Sequence, residues 1–320
     1  METREHSPDG PRPIALEHID CPLCEVDDTE PYAHENGYLA VRCRRCGLVY
    51  LRERPTIESM KALYQGQETQ IDLRSHMRDR DWRTALAKRL LAMLRRHRTG
   101  GRLLEIGSAA GWFLAQAREA GFHVQGLDLT AQLCEFAQNV LGIPTFEGTL
   151  RHAPFAPGSF GVVFMRNVLS HLSDPIGEHR IIHDLLEPGG LLMFETGNVA
   201  EISAKRAGML ELPDHLFHWG ESTIRTLLDR SGFRTLECKR FVVLHEHPLL
   251  VRARDGLKVI RPNRARARRE VPRALTEMPA STLRGRVVGE LRQRIRYDLG
   301  ARVPAAGQRC TLVVTAQRID

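Results

Sequence analysis

The sequence predicts an α/β protein, a parallel sheet with helices on both faces, preceded by a small N-terminal zinc ribbon. Three observations carry that prediction. Strand-like and helix-like segments alternate from Arg102 to Leu244, as a parallel sheet with crossover helices requires. A glycine-bearing turn, from Gly107 to Gly111, joins the first of those strands to the first helix. Near the start, Cys21-Pro-Leu-Cys24 and Cys43-Arg-Arg-Cys46 form two CxxC pairs eighteen residues apart.

In chain order, the cysteines come first. Two residues between thiols let both point at one ion, and a second knuckle from a returning hairpin closes a tetrahedral site. Tyr38–Arg42 alternates like a strand leading into the second knuckle. Four thiolates leave no open position, so the expected zinc is structural; paired disulfides are the alternative, disfavoured at a reducing cytoplasmic address. Cys134, Cys238 and Cys310 fall within apolar patterns and read as buried thiols. Pro55–Tyr64 reads as a short helix, Gln65–Ser75 as a polar linker, and Asp79–His97 as a helix with Trp82, Leu86, Leu90, Leu91 and Leu94 on one face. Strands follow at 102–106, 122–128, 143–147, 160–165, 191–196, 233–244 and 311–318, with helices at 111–120, 130–141, 174–186 and 221–231.

Composition removes several classes. Apolar residues are 42% and charged residues 27% of 320, which supports a packed core and argues against global disorder. The longest apolar runs, such as Leu191–Phe194, are far short of the roughly 18 residues of a membrane span. METREHSPDGPRP has no apolar segment resembling a secretory signal, so neither membrane nor export is expected. The net charge is +7, and Val251–Arg273 alone supplies nine basic residues against Asp255 and Glu270, so the remainder is balanced.

The richest segment is LLEIGSAAGWFL (Leu103–Leu114). A strand delivers Glu105, Gly107 permits a sharp turn and close ligand approach, and the following helix start offers unpaired N–H donors. The spacing lacks the second glycine that a dinucleotide pyrophosphate requires. Glu105, two residues before Gly107, would repel a phosphate but pair with an ammonium. Asp128 ends the second strand, where a carboxylate can accept from both hydroxyls of a ribose; its alternative role is to precede a helix cap.

LLEIGSAAGWFL…GLDL, then PFAPGSFGVVFMRNVLSHLSDP, then LLEPGGLLMFETGN, resembles the class I S-adenosylmethionine-dependent methyltransferases over Leu103–Leu244, with Thr311–Arg318 as the final strand. HLFHWGESTIRTLLDRSGF (His215–Phe233) further resembles a small-molecule branch that often carries the CxxC…CxxC segment. The resemblance implies a Rossmann-like sheet with its last strand antiparallel. It implies Glu105 at the methionine end of the cofactor, Gly107, Ser108 and Gly111 as the wall beside it, and Asp128 on the ribose. Leu129 would cover the adenine, Thr149 and Leu150 would frame its edge, and Asn167 would line the reacting centre. Two departures stand out: Thr149 replaces a frequent acidic residue, and Phe160-Gly161 replaces the usual Phe-Asp.

Methyl transfer from a sulfonium needs alignment and, for hydroxyl or carbon acceptors, a base. His171, His215 and His218 are the candidates, each with packing as its plain alternative. The expected function is therefore O- or C-methylation of a small-molecule acceptor, possibly anionic or nucleotide-linked. The alternatives are an RNA methyltransferase gripping phosphates with the ribbon and the Arg-rich run, which the weakly basic knuckles disfavour, and a non-catalytic binding protein. The expected organisation is ribbon 1–54, helical linker 55–100, catalytic core 101–248, basic helical insertion 249–309 and final strand 310–320. The insertion should hold helices at Ser281–Tyr297 and around Val251–Ile260.

Overall fold

The structure, a computed structural model, describes residues 14–60, 73–204, 210–242, 281–302 and 310–320. The N-terminal segment is built of short strands. β1 (Leu16–His18) pairs with β5 (Glu53–Pro55), while β2 (Thr29–Glu35), β3 (Tyr38–Cys43) and β4 (Val49–Leu51) form an antiparallel meander. Asn36 and Gly37, both at positive φ, make the two-residue turn joining β2 to β3.

The central sheet contains β6 (Gly101–Ile106), β7 (Phe122–Asp128), β8 (Thr145–Glu147), β9 (Phe160–Arg166) and β10 (Leu186–Gly197). β11 (Phe217–His218) belongs to the N-terminal sheet, and β12 (Phe233–Val242) and β13 (Cys310–Arg318) complete the central one. The order is β12-β13-β10-β9-β6-β7-β8, and β13 alone runs antiparallel to its neighbours. This is the Rossmann-like methyltransferase arrangement the sequence predicts.

The helices are α1 (Leu73–Arg78), α2 (Arg80–Leu94), α3 (Trp112–Glu119), α4 (Ala131–Asn139), α5 (Pro175–Leu185), α6 (Glu221–Arg230) and α7 (Leu283–Gln293). Because side chains alternate along a strand, the sheet builds two cores. Leu103, Val162, Phe164, Met193 and Val313 pack with Leu86, Leu90 and Leu94 of α2 and Phe113 of α3. On the other face, Leu104, Val163, Met165, Leu192 and Val314 pack with α5, α6 and the N-terminal strands. A sheet covered on both faces explains why β9 reads as an unbroken apolar run.

One expectation needs correction, and two features extend the outline. Residues 73–75 are not linker, because α1 starts at Leu73 and buries Leu73, His76 and Met77 near Ala110, Trp112 and Phe136. The N-terminal segment is joined to the central sheet's module: β11, from the far side of the sequence, pairs with β4, and both share one core. Ser281–Tyr297 is helical, but Leu283, Val287, Leu291 and Ile295 face outward, while Gly289, Gln293 and Tyr297 are buried. Gly289 determines that orientation, since a Cβ there would lie 3.0 Å from the Asp81 carbonyl oxygen of the adjoining α2. Beyond α7, Tyr297 donates to Glu195 Oε2 at 3.0 Å and Arg296 reaches Glu195 Oε1 at 2.9 Å, fixing this segment at the carboxyl end of β10. The Arg-rich stretch 251–273 and the piece at 251–260 lie outside the described residues.

Gly161 has a visible reason. A Cβ there would lie 2.5 Å from Arg98 Cζ, so the missing side chain makes room for a guanidinium that pairs with Glu187 at 2.7 Å.

Candidate active site

At the carboxyl edge of the sheet, β6 carries Glu105 next to its last residue, Ile106, and the chain turns at Gly107, whose φ is 68°. A side chain there would collide with Val168 Cγ2 at 2.5 Å, so glycine is required by both dihedral and space. Ala109 also takes a positive φ, 48°, and its amide donates to Asp128 Oδ2 at 2.7 Å. Asp128 Oδ1 accepts from the Thr130 amide at 2.9 Å. The carboxylate thus ties the loop after β6 to the end of β7, with lone pairs left for a ligand. Gly111, at φ 79°, caps α3, and its missing Cβ leaves room for Ile143 and Ala137.

Over this loop lies a cavity whose lining includes Glu105, Gly107, Ser108 and Ala109. The same cavity is lined by His76 of α1, Arg83 of α2, Trp112 of α3 and Arg166 of β9. Glu105 Oε2, Ser108 Oγ, Trp112 Nε1, His76 Nδ1 and Arg83 Nε are buried and find no hydrogen-bond partner among the described residues. Buried polar atoms are normally paired, so five around one cavity mark a place built for a polar ligand.

Electrostatics give that ligand its charges. Burial raises the Glu105 carboxyl well above its ordinary range, Arg166 opposing and Asp128 adding to the rise. Burial and the nearby Arg83 and Arg166 push His76 down to about 3, so its imidazole is neutral. Burial, reinforced by Arg166, lowers Arg83 to about 10. A ligand carrying both charges, such as an α-amino-acid zwitterion, would offer an ammonium to Glu105 and a carboxylate to the guanidinium groups.

Glu105, Gly107 and Ser108, singled out from the sequence, share this lining with His76, Arg83, Trp112 and Arg166, which the sequence reading did not single out. Only Arg166, at the carboxyl end of a core strand beside Asn167, had a positional signal. Asn167 is exposed with φ 55° and Leu129 is 65% exposed, while Leu150 is buried and Thr149 Oγ1 lies 2.7 Å from His152 Nδ1.

The three predicted histidines do come together. His171 and His215 rings meet edge to face at 4.7 Å, and His215 and His218 at 6.0 Å. Two backbone amides, of Leu216 and Phe217, donate to the Ser170 carbonyl oxygen and tie the two loops. Burial, with His215 adding, pushes His171 below the ordinary imidazole range. His218 is buried in β11, opposite Val49.

In the N-terminal segment, the sulfurs of Cys21, Cys24, Cys43 and Cys46 lie within 4.8 Å of one another, and none is in a disulfide. Cys21 Sγ and Cys46 Sγ are 3.6 Å apart; the Cys21 contact lowers Cys46 to about 5 while burial and the same contact raise Cys21. Four converging thiols, two of them buried, are a donor set suited to one tetrahedral ion.

Comparison with known proteins identifies a family and several relatives. A family described as "Methyltransferase domain" matches residues 74–238. The chain is 27% identical over 153 residues to malonyl-[acyl-carrier protein] O-methyltransferase of Erwinia billingiae, covering 44% of this chain and 61% of the relative. It is 29% identical over 158 residues to ubiquinone biosynthesis O-methyltransferase of Ruegeria pomeroyi, covering 45% and 64%. It therefore spans about three fifths of the length of these curated relatives. An S-adenosylmethionine dependent methyltransferase from Mesorhizobium loti superposes with a TM-score of 0.46 at 20% identity, over 73% of this chain and 98% of that one. With more than half of its residues matched, this chain belongs to the methyltransferase-domain family.

Proposed function

We propose that the chain is an S-adenosylmethionine-dependent methyltransferase acting on a small-molecule acceptor, at oxygen or carbon rather than nitrogen. The carrying observation is the cavity over Gly107, where Glu105, Arg83 and Arg166 match the two charges of an amino-acid end. Bound there, the cofactor supplies an activated methyl group on a sulfonium. Glu105 takes its ammonium, Arg83 and Arg166 its carboxylate, and Gly107 and Ser108 the backbone approach. Asp128 accepts from the ribose, Leu129 lies over the adenine, and Thr149 and Leu150 hold its edge. Asn167 borders the reacting centre, with Gly111 shaping the loop from behind.

On the acceptor side, His171, His215 and His218 form the cluster that removes a proton from the acceptor. Both curated relatives are named O-methyltransferases, which supports an oxygen acceptor. Cys21, Cys24, Cys43 and Cys46 hold a structural zinc, whose task is to keep the N-terminal sheet, and with it β11, in place. A cytoplasmic address accords with four reduced cysteines arranged for metal. Among the described residues, no helix is long and apolar enough to cross a membrane.

The test is transfer of label from methyl-labelled S-adenosylmethionine into fractionated cell extract, sorted by acceptor size. Label in a small organic fraction is expected. Label in RNA or protein only, or in nothing while the cofactor binds, contradicts this reading.

A further inference from the structure

We propose that the outer face of α7 and of the helical turn after it (Arg294–Leu299) docks on an anionic phospholipid surface, lying on it without spanning it. The helix is inverted for a water-facing element. Its small side turns inward: a Cβ at Gly285 would collide with the Asp81 carboxylate of α2, and one at Gly289 would lie 3.0 Å from the Asp81 carbonyl oxygen. Its bulky side turns outward, with Leu283, Val287, Val288, Leu291, Ile295 and Leu299 between 40% and 72% exposed. Single exposed aliphatics are ordinary, but six on one face of one element form a contact surface.

Charge decides what covers this face. Over residues 281–302 six arginines stand against Glu290 and Asp298, and Asp298 already pairs with Arg89 of α2. Arg296 is turned inward to Glu195, but Arg284, Arg286, Arg292, Arg294 and Arg302 are exposed and form no ion pair among the described residues. At 3.6 residues per turn, Arg284 and Arg294 flank the line through Val287 and Leu291 on its two sides. A second copy of this chain would set such arginines against one another, and the preceding stretch 251–273 carries the same sign, so neither complements the face. A protein interface is commonly anchored by aromatic side chains, and this stripe offers none. Aliphatics between guanidinium groups match an anionic bilayer, where the first enter the acyl boundary and the second meet phosphate oxygens. The nine basic residues of 251–273 add attraction of the same kind.

The surface is built before any partner arrives. Ser281 Oγ donates to Asp81 Oδ1 at 2.6 Å, and Thr282 Oγ1 caps the helix by accepting the Gly285 amide at 3.0 Å. The face is therefore presented ready-made, which lowers the ordering cost of docking. Asp81 and Arg89 lie on the side of α2 turned to α7, opposite Arg83, Leu86 and Leu90, which line the cavity over Gly107. Substitutions on the outer face of α7 thus leave that cavity untouched.

The test is sedimentation of the full chain with vesicles of phosphatidylglycerol and, separately, of phosphatidylcholine, at low and at high salt. Pelleting with phosphatidylglycerol alone is expected, weakened but not abolished by salt. Val287→Ser and Leu291→Ser combined in one chain, with circular dichroism unchanged, should weaken it about tenfold or more. Arg284→Gln combined with Arg294→Gln should weaken it by a similar factor, on the basis of about 1 kcal/mol for each basic residue at the surface. No pelleting by the wild type overturns the proposal and leaves the face to a protein partner. Pelleting that survives the aliphatic substitutions overturns it too, because the attraction then belongs to the arginines of 251–273 alone. A wild-type dimer that the Val287/Leu291 variant dissociates would give the face to a second copy and likewise overturn it. Binding is read without cofactor or turnover, so the result stands apart from the methyltransferase reading.

Discussion

Tyr50 of β4 stands opposite Phe217 of β11, their rings stacked 6.4 Å apart, so a strand of the cysteine-bearing sheet is paired with the strand that carries His218. The N-terminal segment is therefore joined through backbone pairing to the loop that carries His215 and His218. It has no described contact with the cavity over Gly107, which is lined from α1, α2, α3, β6, β9 and the loop after β6.

Losing the cysteine site should consequently separate acceptor from cofactor. Cys43→Ser is expected to raise the acceptor KM about tenfold and to speed amide exchange in β2–β4 and β11, because metal binding and folding are coupled in such sites. Cofactor affinity should hold. Equal losses at both sites would show the ribbon supporting the whole core.

Glu35 gives a finer version of the same experiment. Its carboxylate accepts the amides of Leu210, Glu211 and Leu212 at 2.7, 2.7 and 3.3 Å. Glu35→Ala should cost on the order of 2 kcal/mol in chemical denaturation, and Glu35→Gln, keeping one acceptor oxygen, clearly less. Identical losses would mean that the side chain's packing, not its hydrogen bonds, holds the loop.

His179 sets part of the acid limit. Its ring is fully buried under Phe194, Nδ1 lies 2.8 Å from the Pro175 carbonyl oxygen, and burial lowers it from 6.5 to about 4. The unfolded chain then binds more protons than the folded one between those values, so stability falls as pH drops from 6.5 towards 4. His179→Gln should flatten that decline by on the order of 3 kcal/mol, read as denaturation midpoints against pH. Glu178, raised to about 7 by burial, works in the opposite direction and is unaltered by the substitution. An unchanged pH slope would contradict the neutral, buried assignment.

What was legible in the sequence follows physical lines. Glu105, Gly107 and Asp128 stand at or beside strand ends in a glycine-bearing motif, so strand pattern and motif together single them out as candidates. Arg83 and Arg166 could not be singled out among the 41 arginines of a chain with only five lysines. β11 is two residues long, too short for an alternating pattern, so its pairing with β4 left no trace. α7 was legible as a helix but not in its orientation. Its aliphatic stripe at Leu283, Val287, Leu291 and Ile295 faces outward, and close approach to α2 needs Gly289.

The most direct test of the central claim is calorimetric titration with S-adenosylhomocysteine, comparing the wild type with Asp128→Ala. Ribose hydrogen bonds to a carboxylate are worth about 1.5–3 kcal/mol each, so affinity should fall at least about tenfold, with the fold unchanged by circular dichroism. Unchanged affinity in Asp128→Ala, or no binding by the wild type, would contradict a cofactor site over Gly107.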